Sequence, residues 1–164
     1  MATVLSRSSE TEAALARSLH LTFRLGDLEY GVPILAVQEI KGPSPITPLP
    51  NAPAHLAGVM NLRGMIVPVV DLRVKFALPR AESGRGPVII LVAVGSKVVG
   101  MMVDTVSEVL DLSEAEIQAV PDLGRPIEAG FVRGLAQAGD RLIVLLDVAR
   151  LLDSDERLAP AASR

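Results

Sequence analysis

The chain contains no cysteine, which rules out disulfides and thiolate metal sites and suits a reducing compartment. It has no tryptophan, one tyrosine and three phenylalanines. With 49% hydrophobic residues, its core has to be built from Val, Leu, Ile, Ala and Met. So few rings also leave little on which the bases of a nucleic acid could stack. No basic block occurs: 16 Lys and Arg stand against 19 Asp and Glu, a net charge of −3, whereas nucleic-acid affinity comes mainly from phosphate neutralisation. No apolar run approaches the ~20 residues of a membrane span; the longest, Val88 to Val94, has seven. The first eighteen residues lack the apolar segment of a secretion signal. There is no GxxxxGK loop, nucleophile elbow or HExxH motif, and the two histidines, His20 and His55, stand apart from any ligand pattern.

What the chain does have is repetition. Gly58 to Leu72 reads GVMNLRGMIVPVVDL, two β-rich runs around the polar knot Asn61-Leu62-Arg63-Gly64. Moved forward by 76 positions, Gly58 falls on Gly134, Arg63-Gly64 on Gly139-Asp140, and Asp71 on Asp147. An earlier stretch matches at an offset of 69: Gly31, Val37, Glu39 and Ile40 meet Gly100, Val106, Glu108 and Val109. Two offsets in the same order describe a duplicated unit of about seventy residues with a small insertion in the second copy.

Many short strands with glycine turns argue for small barrels rather than an α/β sheet. Leu19 to Leu25 and Leu28 to Val32 flank the turn Gly26-Asp27, and Val88 to Val94 and Lys97 to Val103 flank Gly95-Ser96. Ile34 to Ile40 reads as a short extended segment. Prolines 43, 45, 48 and 50 forbid regular pairing from Gly42 to Pro50. Pro53 and Gly58 suit the start and the end of a helical turn over 51–58. Ser113 to Glu116 has the pattern of a capping box. Asp71 and Asp147, each ending a strand, are placed to cap short helices; we read them so rather than as a catalytic dyad. The loop from Pro121 to Gly130 reads as irregular. A unit of about 65 residues is marginal alone, so the two barrels are expected to share an apolar seam, with grooves beside it where partners bind. Asp104 reads as a surface or turn residue, and Arg73, Lys75 and Arg80 as a solvated basic face. Arg63 stands at a turn tip and Glu39 on a strand, both exposed.

The segments GDLEYGVPILAVQEI, ITPLPNAPAHLAGVMNLRGMIVPVVDLRVKF, VVGMMVDTVSEVL and GDRLIVLLDVARLL together resemble the CheW-type chemotaxis coupling protein over about Leu19 to Leu152. The resemblance implies an all-β fold of two intertwined five-stranded Src-homology-3-like barrels with short helices, one of them C-terminal. The polar stretches 1–18 and 153–164, which with the loop from Ala77 to Gly86 depart from the resemblance, read as mobile tails around a single domain over 19–152 with subdomains at about 19–83 and 84–152. The resemblance implies a cytoplasmic, non-catalytic adaptor without metal or cofactor. Such an adaptor sits at receptor arrays on the inner face of the membrane without inserting into it. Its partners would be the tips of methyl-accepting chemoreceptors and the regulatory domain of the histidine kinase CheA, with which it could alternate in a ring; nucleic acid would not be one. A coupling protein of another chemosensory pathway, controlling pili or a second messenger, is the alternative. By motif match, Val37, Glu39, Gly58 and Arg63 would lie on or beside the partner-contacting surfaces, and the inter-barrel groove would take the receptor tip.

Overall fold

The computed structural model describes residues 19–78, 86–118 and 130–152. Expectations for the two tails, for Arg80 and for most of the loop after Pro121 lie outside them. The first unit runs β1 (Leu19–Leu25), β2 (Leu28–Pro33), a 3-10 turn (Ile34–Ala36), β3 (Val37–Lys41), β4 (Leu56–Leu62), β5 (Met65–Asp71) and α1 (Leu72–Lys75). The second runs β6 (Val88–Val94), β7 (Lys97–Val103), β8 (Thr105–Asp111), a 3-10 turn (Glu114–Glu116), β9 (Ile117–Gln118), β10 (Val132–Ala138), β11 (Arg141–Leu146) and α2 (Val148–Leu151). Both offsets hold in three dimensions. In the hairpins, Leu25 pairs with Leu28 as Val94 pairs with Lys97. In the parallel pairs, Leu145 faces Gly31 as Val69 faces Gly100.

The strands form two sheets, ordered β8-β1-β2-β11-β10-β9 and β3-β6-β7-β5-β4, arranged as two intertwined Src-homology-3-like barrels. Each sheet takes strands from both units, so the sequence halves 19–83 and 84–152 do not coincide with the sheets. The reason lies in the crossovers. After β2 and after β7 the chain leaves its hairpin and pairs its next strand with the other unit, β3 on β6 and β8 on β1. One sheet has six strands rather than five. The sixth is the two-residue β9, and its counterpart in the other sheet is an isolated bridge between Thr47 and Val59.

The apolar residues divide accordingly. One cluster lies on the seam and joins both sheets, with Phe23, Val32 and Leu146 from one and Val70, Val92 and Met101 from the other. Two smaller clusters fill the individual barrels. The aliphatic expectation needs one amendment. All four aromatics line up in a single column, Phe23–Tyr30–Phe76–Phe131, with ring centroids 5.8, 5.3 and 5.3 Å apart, the outer two contacts stacked and the middle one tilted, and an apolar cavity of about 250 Å³ opens beside it.

Three local expectations change. Residues 51–58 form no helix: Leu56 N–H donates to Pro53 O at 3.0 Å, a single turn, and β4 then begins. Ile34–Ala36 is a 3-10 turn rather than extended chain. Ser113 and Glu116 side chains do meet, at 3.0 Å, but they close only the 3-10 turn before β9. The caps are as read. Asp71 accepts from Arg73 and Val74 N–H, and Asp147 from Arg150 N–H. Among the described residues no helix is long and apolar enough to cross a membrane.

Candidate functional site

Glu39 owes its direction to a β-bulge. Val37 pairs with Val92 and Glu39 with Leu91, so Gln38 is the extra residue, and a bulge re-aims the side chain that follows it. β3 is an edge strand. Opposite it, the β4–β5 turn is held by Asn61 Oδ1, which accepts from Gly64 N–H at 2.8 Å, with Arg63 at a positive φ of 49°. The turn swings the Arg63 guanidinium onto Glu39, and two N–H groups donate to the two carboxylate oxygens at 3.4 and 3.2 Å. The Arg63 side chain is 73% exposed and that of Glu39 33%, so the pair is worth little to folding. Ile40, which follows Glu39 on β3, and Ile66 on β5 are also exposed.

Of the four residues expected here, Glu39 and Arg63 come together. Val37 lies on the same strand but half-buried, packing against the seam cluster. Gly58 serves the backbone. It sits at a bulge in β4 with φ +150°, and a Cβ there would stand 2.2 Å from Thr47 O. Only glycine lets the segment around Thr47 lie on β4, where Thr47 and Val59 exchange N–H···O bonds of 2.8 and 2.9 Å. Loss of function at Gly58 would therefore pass through a displaced strand.

Two further charged groups escaped sequence reasoning. Glu108, the counterpart of Glu39, also follows a bulge and pairs with Arg141, which donates as well to the buried Glu29 at 3.2 Å. The carboxylate of Glu108, then that of Glu29, raises the Arg141 pKa above its ordinary value. The signal was present, since the offset of 69 puts Glu108 where Glu39 is. Asp104 stands in the bend between β7 and β8, as read, but it is half-buried and paired, and Arg73 belongs to no solvated face. Asp104 accepts from Arg73 Nε at 2.6 Å, from a second Arg73 nitrogen, and from Gly26 N–H at 2.7 Å. Lys75 likewise donates to Leu151 O. A lone aspartate inside Val98 to Val106, otherwise Gly, Met, Val and Thr, was the available clue. Among the described residues no group of three or more His, Asp or Glu could hold a metal ion.

The fold and this surface define a class: a small scaffold of two intertwined barrels, with an exposed ion pair between an edge strand and a turn. The CheW-like domain matches residues 19–156. The chain is 42% identical over 139 residues to the chemotaxis protein CheW of Rhizobium meliloti (strain 1021), covering 85% of this chain and 90% of that protein. It is 43% identical over 136 residues to the CheW of Klebsiella aerogenes, covering 83% and 82%. The crystal structure of the scaffolding protein TtCheW from Thermoanaerobacter tengcongensis superposes with a TM-score of 0.77 at 31% identity, covering 84% of this chain and 93% of that one. The chain belongs to the CheW-like family.

Proposed function

We propose that this protein is a non-catalytic, cytoplasmic coupling adaptor of chemotaxis, which grips the tips of methyl-accepting chemoreceptors and the regulatory domain of the histidine kinase CheA. The observation that carries the reading is the Glu39–Arg63 pair. It leaves two charges at the surface, where folding gains little from them, and Ile40 of β3 and Ile66 of β5 are exposed as well. Such a surface is available to a partner. A kinase domain built on the same duplicated fold could meet it end to end, and heterologous contacts of that kind close into rings when the rotation permits. Coupling is then conformational, because a receptor shifts the kinase only by its differential affinity for the kinase's states.

The test is Arg63→Glu. It leaves the thermal melt in place and lowers both co-sedimentation with receptor-bearing membranes and kinase stimulation. Unchanged stimulation with a parental melt returns Arg63 to an ordinary solvated turn. Val37→Asp is expected to lose receptor binding, but Val37 packs on the seam and carries a folding cost too. Ile40→Glu, at 45% exposure, probes the same strand without that cost.

A further inference from the structure

Apolar packing joins the two sheets along most of the seam, beside a single-point bond from Lys75 of α1 to Leu151 O of α2, and such packing is non-directional and sets no angle between them. A charge-assisted, two-point hydrogen bond does have a preferred geometry. Asp104 is the one residue between β7 of one sheet and β8 of the other. Its carboxylate takes Arg73 from α1, which continues β5, and Gly26 N–H from the β1–β2 turn. Elements of both sheets thus converge on one carboxylate, with the Arg73 and Asp104 side chains only 15% and 21% exposed.

The repeat supplies the comparison. The offsets carry Gly26, Arg73 and Asp104 onto Gly95, Ala149 and Leu35. Gly26 and Gly95 share a φ of 64°, so the turn is kept. Ala149 has no donor and Leu35 no acceptor, and Leu35 is 66% exposed. The contact exists on one side of the molecule and is missing from the other.

We propose that Arg73, Asp104 and Gly26 form a one-sided latch. It fixes the sheets to each other at the β7–β8 crossover and leaves the crossover at Ile34–Ala36 free to open. Asp104 is then a positioning residue for coupling. It holds the surface of Val37, Glu39 and Arg63 in a set relation to the other sheet, so that what one partner does is transmitted to the other. The coupling part of this proposal rests on the adaptor reading; the latch does not.

The molecule provides its own control. Arg73→Ala with Asp104→Leu writes the residues of the open side into the latched side and leaves no buried charge unpaired, the case in which replacing an ion pair is tolerated. The cysteine-free chain accepts spin labels on cysteines placed at Asp27 and Val74, and separately at their counterparts Ser96 and Arg150. In the parent, the 27–74 distance distribution is narrower than the 96–150 one; in the double variant both are broad. Kinase stimulation in the presence of receptor fragment falls by about tenfold, within the usual range of coupling between sites. The separate affinities for receptor fragment and kinase domain stay at parental level. Equal widths in the parent overturn the latch. A double variant that stimulates like the parent overturns the positioning role. A parent that binds neither partner overturns the adaptor reading, and the spin-label widths still decide the latch.

Discussion

The two barrels share a backbone and differ in what fills it. The barrel on the sheet that begins with β3 is wholly aliphatic inside: Met60, Leu62, Val67, Val69, Ile89 and Leu91, with Val98 packed against them. In the other, Leu112, Ala136, Ile143 and Leu145 remain apolar. The positions matching Ile89, Leu91 and Val98 hold His20, Thr22 and Glu29, all buried. The buried polar groups of this barrel are satisfied in part: Thr22 is, and Glu29 is through one carboxylate oxygen while the other has no hydrogen-bond partner. Thr22 Oγ donates to Glu108 O and accepts from Glu108 N–H at 3.0 and 3.1 Å, which satisfies the bulge in β8. Glu29 takes Arg141. The second arginine–glutamate pair is therefore tied into an interior, while the first hangs on an aliphatic barrel that does not use it. Charge that folding does not need is charge a partner can use, and on that ground we propose the Glu39–Arg63 surface, rather than the Glu108–Arg141 one, for docking.

Breaking the comparison begins with the glycines at its two bulges. Gly58→Ala places a Cβ 2.2 Å from Thr47 O at a positive φ, so the bridge at Thr47 has to detach; the expected loss is about 3 kcal/mol. Gly134→Ala meets Ile117 Cγ2 at 2.7 Å and Gln118 O at 2.8 Å, without the dihedral strain and against the two-residue β9. Its expected loss is about half as large, roughly 1.5 kcal/mol. Urea unfolding of both variants decides it, and equal losses would mean that the two barrels depend alike on their edge segments. Next in size is Thr22→Val, which strips both hydrogen bonds from a fully buried site and costs about 1–2 kcal/mol. The arginines follow. Arg141→Ala lowers the melting temperature because Glu29, 6% exposed, loses the cation facing it. Arg63→Ala changes stability by less than about 0.5 kcal/mol. If the two alanine variants melt together, the distinction between an anchored pair and a free one is wrong.

The duplication was legible because it is written in backbone-critical positions. Gly31 and Gly100, Gly58 and Gly134, and the caps Asp71 and Asp147 survive side by side while the residues between them drift. Strand directions, hairpin turns and both short helices follow from those marks. A repeat shows which segments are equivalent but not which copy each one pairs with, so the exchange of strands at the crossovers was out of reach. The supposed helix over 51–58 failed for a related reason: Gly58 reads as a helix end, and the Thr47 backbone that makes it a bulge is eleven residues away. At the site, Arg63 stood out through its turn and Glu39 through its motif. Asp104 did not, because its partner Arg73 lies 31 residues back in the other unit.

The smallest effect separates the two crossovers by pH. Arg73 hydrogen-bonds the charged form of Asp104 and, with Gly26 N–H, holds its carboxyl below the ordinary value of 3.8 against the opposing cost of burial. The folded protein thus binds this proton less readily than the unfolded chain. The stabilisation is complete above the unfolded value of about 3.9 and drains away as pH falls through the lower folded value. Asp104→Asn has nothing to lose there. Its stability deficit relative to the parent, clear at pH 7, should narrow below about pH 4. At the other crossover Leu35 carries no charge, so Leu35→Asn should differ from the parent by the same amount at every pH. Urea midpoints from pH 7 down to pH 3 test both. A deficit for Asp104→Asn that stays constant across that range would show that Asp104 acts through shape rather than charge, and the contrast between a latched crossover and an open one would lose its electrostatic basis.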